Sequence, residues 1–211
     1  MSSKGQVTVP KIVRDALGVK EGDVIVFRVD GDRALLARTP DFLDLGGTIH
    51  VPRGEAKRRL GPRDRSDTRG ACAQAPVSAF VDTNVLVRHL TGDPPAMAAC
   101  ASAYLRAELE LFLAHLIVAE TVYVLESFYV APRVRVAQVV RSLLTLNAIV
   151  VVDRDVLLRA VEVYETDRLD FAEAYLVACA ESTGVERIAS FDRSIDRVTT
   201  VERIEPDRPA R

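Results

Sequence analysis

From residue 78 onward, short apolar runs alternate with longer stretches of helical period, and that alternation leaves few folds open. "SAFVD", "ELFLA", "AIVVVD", "RIAS" and "TVERI" read as strands. Between them "AMAACASAYLRAE", "IVAETVYVLESFYV", "RVRVAQVVRSLLTL", "RDVLLRAVEVYET" and "DFAEAYLVACAEST" read as helices. Short apolar strands separated by helices predict an α/β unit with a parallel sheet covered on both faces.

The chain before residue 78 has a different character. Residues 1–70 hold 14 Lys+Arg against 10 Asp+Glu, a net of +4, whereas residues 71–211 hold 14 against 20, a net of −6. Oppositely charged parts predict two functions, with one part able to bind the other. Within residues 1–38, "QVTVP" reads as a strand, Pro10 opens the helix "KIVRDAL", and Gly18 stops it. "DVIVFRV" and "RALLAR" flank the Asp30–Gly31 pair, a hairpin signal. A unit of about 40 residues cannot bury a core alone without metal or disulfides, so it is expected to dimerise. Residues 39–77 then run from "DFLDLGGTIHVP" into a basic, Gly/Pro-rich stretch without helical or strand period; on composition it reads as a linker.

Several classes drop out. The greasiest stretch, "LFLAHLIVAETVYVL", carries His115 and Glu120, so it is no membrane span. The N-terminus lacks the apolar core of a signal peptide. Three scattered cysteines, Cys72, Cys100 and Cys179, lack metal-type spacing and suit a reducing, cytoplasmic setting.

Ligands of parallel sheets collect at the carboxyl ends of the strands. Asp82, Asp153 and Asp192 each follow a strand there, although each could equally cap the next helix. Glu120 lies in a helix apolar nearly all round, which predicts burial; a carboxylate there needs a cation or a charged partner. Asp170 and Glu173 stand three apart on one helix face, the spacing of a capping-box variant, so one can cap while the other coordinates. Gathered together, such acids repel unless a divalent cation joins them. Oxygen ligands without a His or Cys cluster favour Mg²⁺ or Mn²⁺, the cations of phosphodiester hydrolysis.

In order and spacing, "FVDTNVLVRHL", "AETVYVLESFY", "LDFAEAYLVACAE" and "SFDRSID" resemble a PIN-domain ribonuclease of the VapC toxin type, over residues 78–205. The resemblance implies a three-layer α/β/α fold with a central parallel sheet and metal-dependent endoribonuclease activity on RNA. It implies Asp82, Glu120, Glu173 and Asp192 as metal ligands, with Asp170 as an accompanying acid. The family usually has Asp where this chain has Glu173, one methylene longer. Asn84 and Ser190 match polar positions that support the site.

"SSKGQVTVPKIVRDALGVKEGDVIVFRV", within residues 2–38, resembles an AbrB-type swapped-hairpin antitoxin domain. That implies a homodimer or higher homo-oligomer binding operator DNA, with Lys4, Lys11 and Arg14 as candidates for the basic face. The family usually has several more strand residues before "SKGQVT", which predicts a weaker shared barrel here. "DFLDLGGTIHVP" looks like a shortened antitoxin tail. By the same resemblance Arg53, Lys57, Arg58 and Arg59 are candidates to enter and mask the acidic pocket. The organisation expected is therefore residues 1–38 antitoxin domain, 39–77 tail and linker, and 78–211 ribonuclease. Val77 stands where a separate toxin would begin, as if two reading frames had been joined. The alternatives are a DNA-binding autoregulator with a silenced PIN unit, and a haloacid-dehalogenase-like phosphatase; the latter wants a second Asp where this chain has Asn84.

Overall fold

A computed structural model describes residues 7–30, 33–52, 78–107 and 110–206. Lys4, Arg53, Lys57, Arg58, Arg59 and Val77 lie outside the described residues. The chain divides into two units, Met1–Pro40 and Asp41–Arg211.

In the first unit Pro10 precedes helix α1, Lys11–Leu17. Gly18, at φ 64°, ends it by turning its N–H toward the Arg14 and Asp15 carbonyls, a left-handed cap that glycine takes without Cβ strain. Strands β1 (Ile25–Asp30) and β2 (Arg33–Arg38) pair antiparallel, with Asp30 opposite Arg33 and Ile25 opposite Arg38. Arg38 Nε meets Asp23 Oδ2 at 2.8 Å at the open end of the hairpin. Of the expected strand over "QVTVP", the described residues 7–10 form no strand. A strand needs a partner for its N–H and C=O groups, and the hairpin does not supply one here. α1 buries none of its residues, and Ile12, Val24, Phe27 and Leu35 are exposed.

The second unit begins with a 3₁₀ turn, Phe42–Leu45, whose N-cap Asp41 accepts the Leu43 N–H at 2.9 Å. Phe42, Leu45 and Ile49 are buried and join the same core cluster as Leu86, Leu90, Leu105 and Val140. Residues 41–52 are thus built into this unit. Burying each of these side chains is worth about 1.5–3 kcal/mol relative to exposure.

The sheet follows the expected βαβ logic. Strands β3 (Ser78–Phe80), β4 (Glu110–Phe112) and β5 (Ile149–Val150) are parallel in the order β3-β4-β5, with Ala79 opposite Leu111 and Leu111 opposite Ile149. Helices α2 (Thr83–Thr91) and α3 (Pro95–Arg106) cross from β3 to β4. α4 (His115–Ser127) and α5 (Arg133–Thr145) cross from β4 to β5. α6 (Arg154–Thr166) and α7 (Phe171–Thr183) then lead to the parallel pair β6 (Arg187–Ala189) and β7 (Glu202–Ile204), joined through a second 3₁₀ turn, Arg193–Arg197. α6 and α7 pack side by side, tied by Arg159 Nε to Glu181 Oε2 at 2.7 Å. α2 is an addition to the helices expected from periodicity.

The start of α7 is held by cations from elsewhere in the chain. Arg133 lies over the Tyr164 ring, 4.2 Å from its centroid, and donates to the carbonyls of Tyr164 and Leu169. Arg197 donates to the carbonyl of Arg168, a residue at φ 60°. These bonds fix the turn immediately before Asp170.

Candidate active site

Asp82 follows β3 and stands at the N-cap of α2, but its carboxylate takes no capping bond. Asp is a good cap, so a carboxylate excused from that task is free for another. It accepts instead from Asn84 Nδ2 at 3.3 Å and is exposed. The next residue, Thr83, is buried, and its hydroxyl donates to Glu120 Oε2 at 2.6 Å. One strand end thereby reaches the carboxylate of α4.

The expectation that Glu120 is buried is corrected by the structure: it is exposed. α4 buries Val118, Thr121, Val122, Val124 and Leu125, and turns Leu116, Glu120, Tyr123 and Ser127 outward. Those four positions follow the spacing of one helix face. Leu116 and Tyr123 made the helix look apolar all round, yet both lie on the exposed stripe beside the carboxylate. Glu120 therefore needs no cation to offset burial.

A second pair forms at the far edge. Asp192 caps the second 3₁₀ turn: its Oδ1 accepts the Ser194 N–H at 2.8 Å, and its own N–H reaches Ser190 Oγ at 3.0 Å. The Ser194 hydroxyl donates to Glu173 Oε2 at 2.8 Å. The Ser194 N–H above all, with the positive charge of Arg197 adding to it, holds the Asp192 carboxyl below its ordinary range. Asp170 is a cap: it forms a reciprocal capping box with Glu173, whose Oε2 takes the Asp170 N–H at 3.4 Å. Glu173 thus serves the box and contacts the Asp192 loop as well.

The acids come as two pairs: Thr83, the residue after Asp82, donates its hydroxyl to Glu120, and Ser194 donates its N–H to Asp192 and its hydroxyl to Glu173. α4, which carries Glu120, packs against both α2 and α7. Among the described residues no group of three or more His, Cys, Asp or Glu is close enough to hold a metal ion. The donor chemistry, all carboxylate oxygen, fits a hard divalent cation. Asp153, at φ 46° before α6, makes no capping bond.

Thr83 and Ser194 are the side chains beside these acids that sequence reasoning missed. A hydroxyl one residue after Asp82 and two after Asp192 was visible in "DTN" and "DRS"; only the fold shows where each points. In the first unit, Lys11 and Arg14 are both exposed and three apart on α1, so they share a face.

Residues 79–201, more than half of the chain, match the PIN domain family. The chain belongs to the PIN domain family. Residues 2–41 match the family described as antidote-toxin recognition MazE, bacterial antitoxin. An antitoxin-type domain therefore precedes the PIN domain in one chain, the arrangement of a fused toxin–antitoxin pair. PIN domains are generally nucleases. No curated protein and no solved structure matches the chain. Among the described residues no helix is long and apolar enough to cross a membrane.

Proposed function

We propose that the PIN unit is a metal-dependent endoribonuclease and that the N-terminal unit is a DNA-binding antitoxin segment that dimerises and regulates it. The observation that carries the reading is how the acids are paired across elements: the Thr83 hydroxyl, next to Asp82, donates to Glu120, and Ser194 gives its N–H to Asp192 and its hydroxyl to Glu173. Such pairing is costly for like charges and useful where a shared cation is to be bound.

Asp82, Glu120, Glu173 and Asp192 would hold Mg²⁺ or Mn²⁺, with Asp170 capping the helix beneath them. When bound, the cation supplies water activation and charge neutralisation at the phosphorus. Thr83 fixes the orientation of Glu120, and Asn84 that of Asp82. Ser190 holds the backbone of Asp192. Water attacks phosphorus in line as the P–O bond to the leaving ribose oxygen breaks; the carboxylate cluster takes a proton from the attacking water and the leaving oxygen takes one from solvent, giving a phosphate monoester and a free hydroxyl.

The antitoxin part also restrains the nuclease in this reading. Support comes from residues 42–49, which follow the antitoxin-type domain and pack into the core of the PIN unit. Arg53, Lys57, Arg58 and Arg59 stand as candidates to enter the acidic pocket. Changing Arg58 and Arg59 together to Ala should raise cleavage; unchanged cleavage would sink the masking idea.

The nuclease reading is tested with the full chain, total bacterial RNA, and sequencing of the cleaved ends with and without Mg²⁺. Asp82→Asn should lower Mg²⁺-dependent cleavage by about 10²–10³-fold. Retained cleavage in that variant rejects the assignment. Operator binding by a chain that leaves RNA intact in every form identifies a silenced regulator instead.

A further inference from the structure

Ser194 makes two different contacts with two different carboxylates. Its backbone N–H donates to Asp192 Oδ1 at 2.8 Å, and its hydroxyl donates to Glu173 Oε2 at 2.8 Å. The first contact is a helix cap, which any residue with an N–H could make. The second spans from the 3₁₀ turn to α7 and needs a hydroxyl.

Glu173 has a reason to need it. A glutamate has one more rotatable bond than aspartate, and freezing such a side chain costs up to about 2 kcal/mol of rotamer entropy. Its Oε2 is shared by the Asp170 N–H, at a long 3.4 Å, and by the Ser194 hydroxyl. The short bond is the one that ties Glu173 to Asp192.

We propose that Ser194 is a positioning residue that holds the longer Glu173 carboxylate in register with Asp192, so that the two can share one divalent cation. The role rests on the reading of this unit as a metal-dependent nuclease. It belongs to the hydroxyl alone, because Ser194→Ala keeps the N–H cap on Asp192 and so spares the turn.

The test measures Mn²⁺ binding to the full chain by calorimetry, with cleavage of total RNA beside it. Ser194→Ala should weaken Mn²⁺ affinity by about tenfold, the lower range for losing a partner that orients a ligand. Ser194→Thr, which keeps the hydroxyl, should bind within about twofold of the parent. In a Glu173→Asp background, where the shorter side chain falls short of the hydroxyl, adding Ser194→Ala should change nothing. Parent-like Mn²⁺ affinity in Ser194→Ala overturns the role while leaving the nuclease reading intact, and so does an additive loss in the double variant. A parent chain that binds no Mn²⁺ and cleaves no RNA overturns the nuclease reading and the role with it.

Discussion

The Tyr175 hydroxyl donates to His115 Nδ1 at 2.7 Å, joining the first residue of the helix that carries Glu120 to the helix that carries Glu173. The direction of the bond follows from the other nitrogen. His115 Nε2 lies 2.6 Å from the Val152 carbonyl, which can only accept, so Nε2 bears the proton and Nδ1 must accept. The rings meet edge to face, 5.5 Å between centroids. Burial is the main cause that pushes the Tyr175 hydroxyl above its ordinary value, which favours its protonated, donating form.

Tyr175→Phe should cost about 1 kcal/mol in urea unfolding, the net worth of one hydrogen bond. RNA cleavage should fall further than stability does, because the pair sets how α4 and α7 present their acids. Cleavage equal to the parent, with the same loss of stability, would make the contact structural only.

Phe42 fills core space and its carbonyl lies 3.1 Å from His89 Nε2. The backbone follows it in: Gly47 N–H reaches the His89 carbonyl at 2.9 Å, and Ile49 N–H reaches that of Leu90 at 3.0 Å. Gly46 has a steric reason as well, since a Cβ there would come within 3.0 Å of His89 Cε1. Phe42→Ala in the full chain should therefore destabilise the PIN unit by about 3–5 kcal/mol, the range for an emptied aromatic site. With no Trp in the chain, far-ultraviolet circular dichroism is the suitable readout. A loss under about 1 kcal/mol would mean that the segment does not hold the unit together.

The sheet and its crossovers were legible because buried strands leave apolar runs and their helices leave a 3.6 period: "RDVLLRAVEVYET" reads as the helix it is, Arg154–Thr166. α2 was not legible, since "TNVLVRHLT" mixes β-branched and polar residues. Strand β5 is shorter than "AIVVVD" suggests: pairing ends at Val150, and the carbonyl of the exposed Val152 meets His115 instead of a neighbouring strand. At the candidate site, the acids are proposed from position and resemblance. The exposure of Glu120 could not be read, because periodicity counts apolar residues without showing which face is covered. Hydroxyl bridges escape for a related reason: Ser194 and Glu173 are 21 residues apart, and only packing brings them together.

Lys11 and Arg14 share the exposed face of α1. If that face lies on DNA phosphates, Ala at either position should weaken binding uniformly across sequences and lower the salt dependence by about one unit in log–log slope. Titration of a promoter fragment from the gene's own upstream region, at several salt concentrations, checks this. A slope unchanged by both substitutions would move the DNA-binding face elsewhere.

His89 makes the docking of residues 42–49 sensitive to acid. Burial lowers its affinity for a proton, the Phe42 carbonyl works the other way, and the positive charge of Arg106 adds to the lowering. Its Nδ1 faces Ser102 Oγ at 2.9 Å. The folded chain therefore prefers neutral His89, while the unfolded chain takes up a proton near pH 6.5, so this contribution is full above about 6.5 and is lost as pH falls toward the lower folded value. The limiting slope is about 1.4 kcal/mol of unfolding free energy per pH unit. Asp192, Asp196 and Glu181 are lowered too, mainly by the bonds from Ser194, Arg203 and Arg159 respectively, but their contributions disappear only below about pH 4. Urea unfolding at about pH 7.5 and 5.5 isolates the histidine window. The parent should lose stability between the two, and His89→Gln, though less stable throughout, should lose distinctly less. Equal losses in both proteins would place the acid sensitivity on another group.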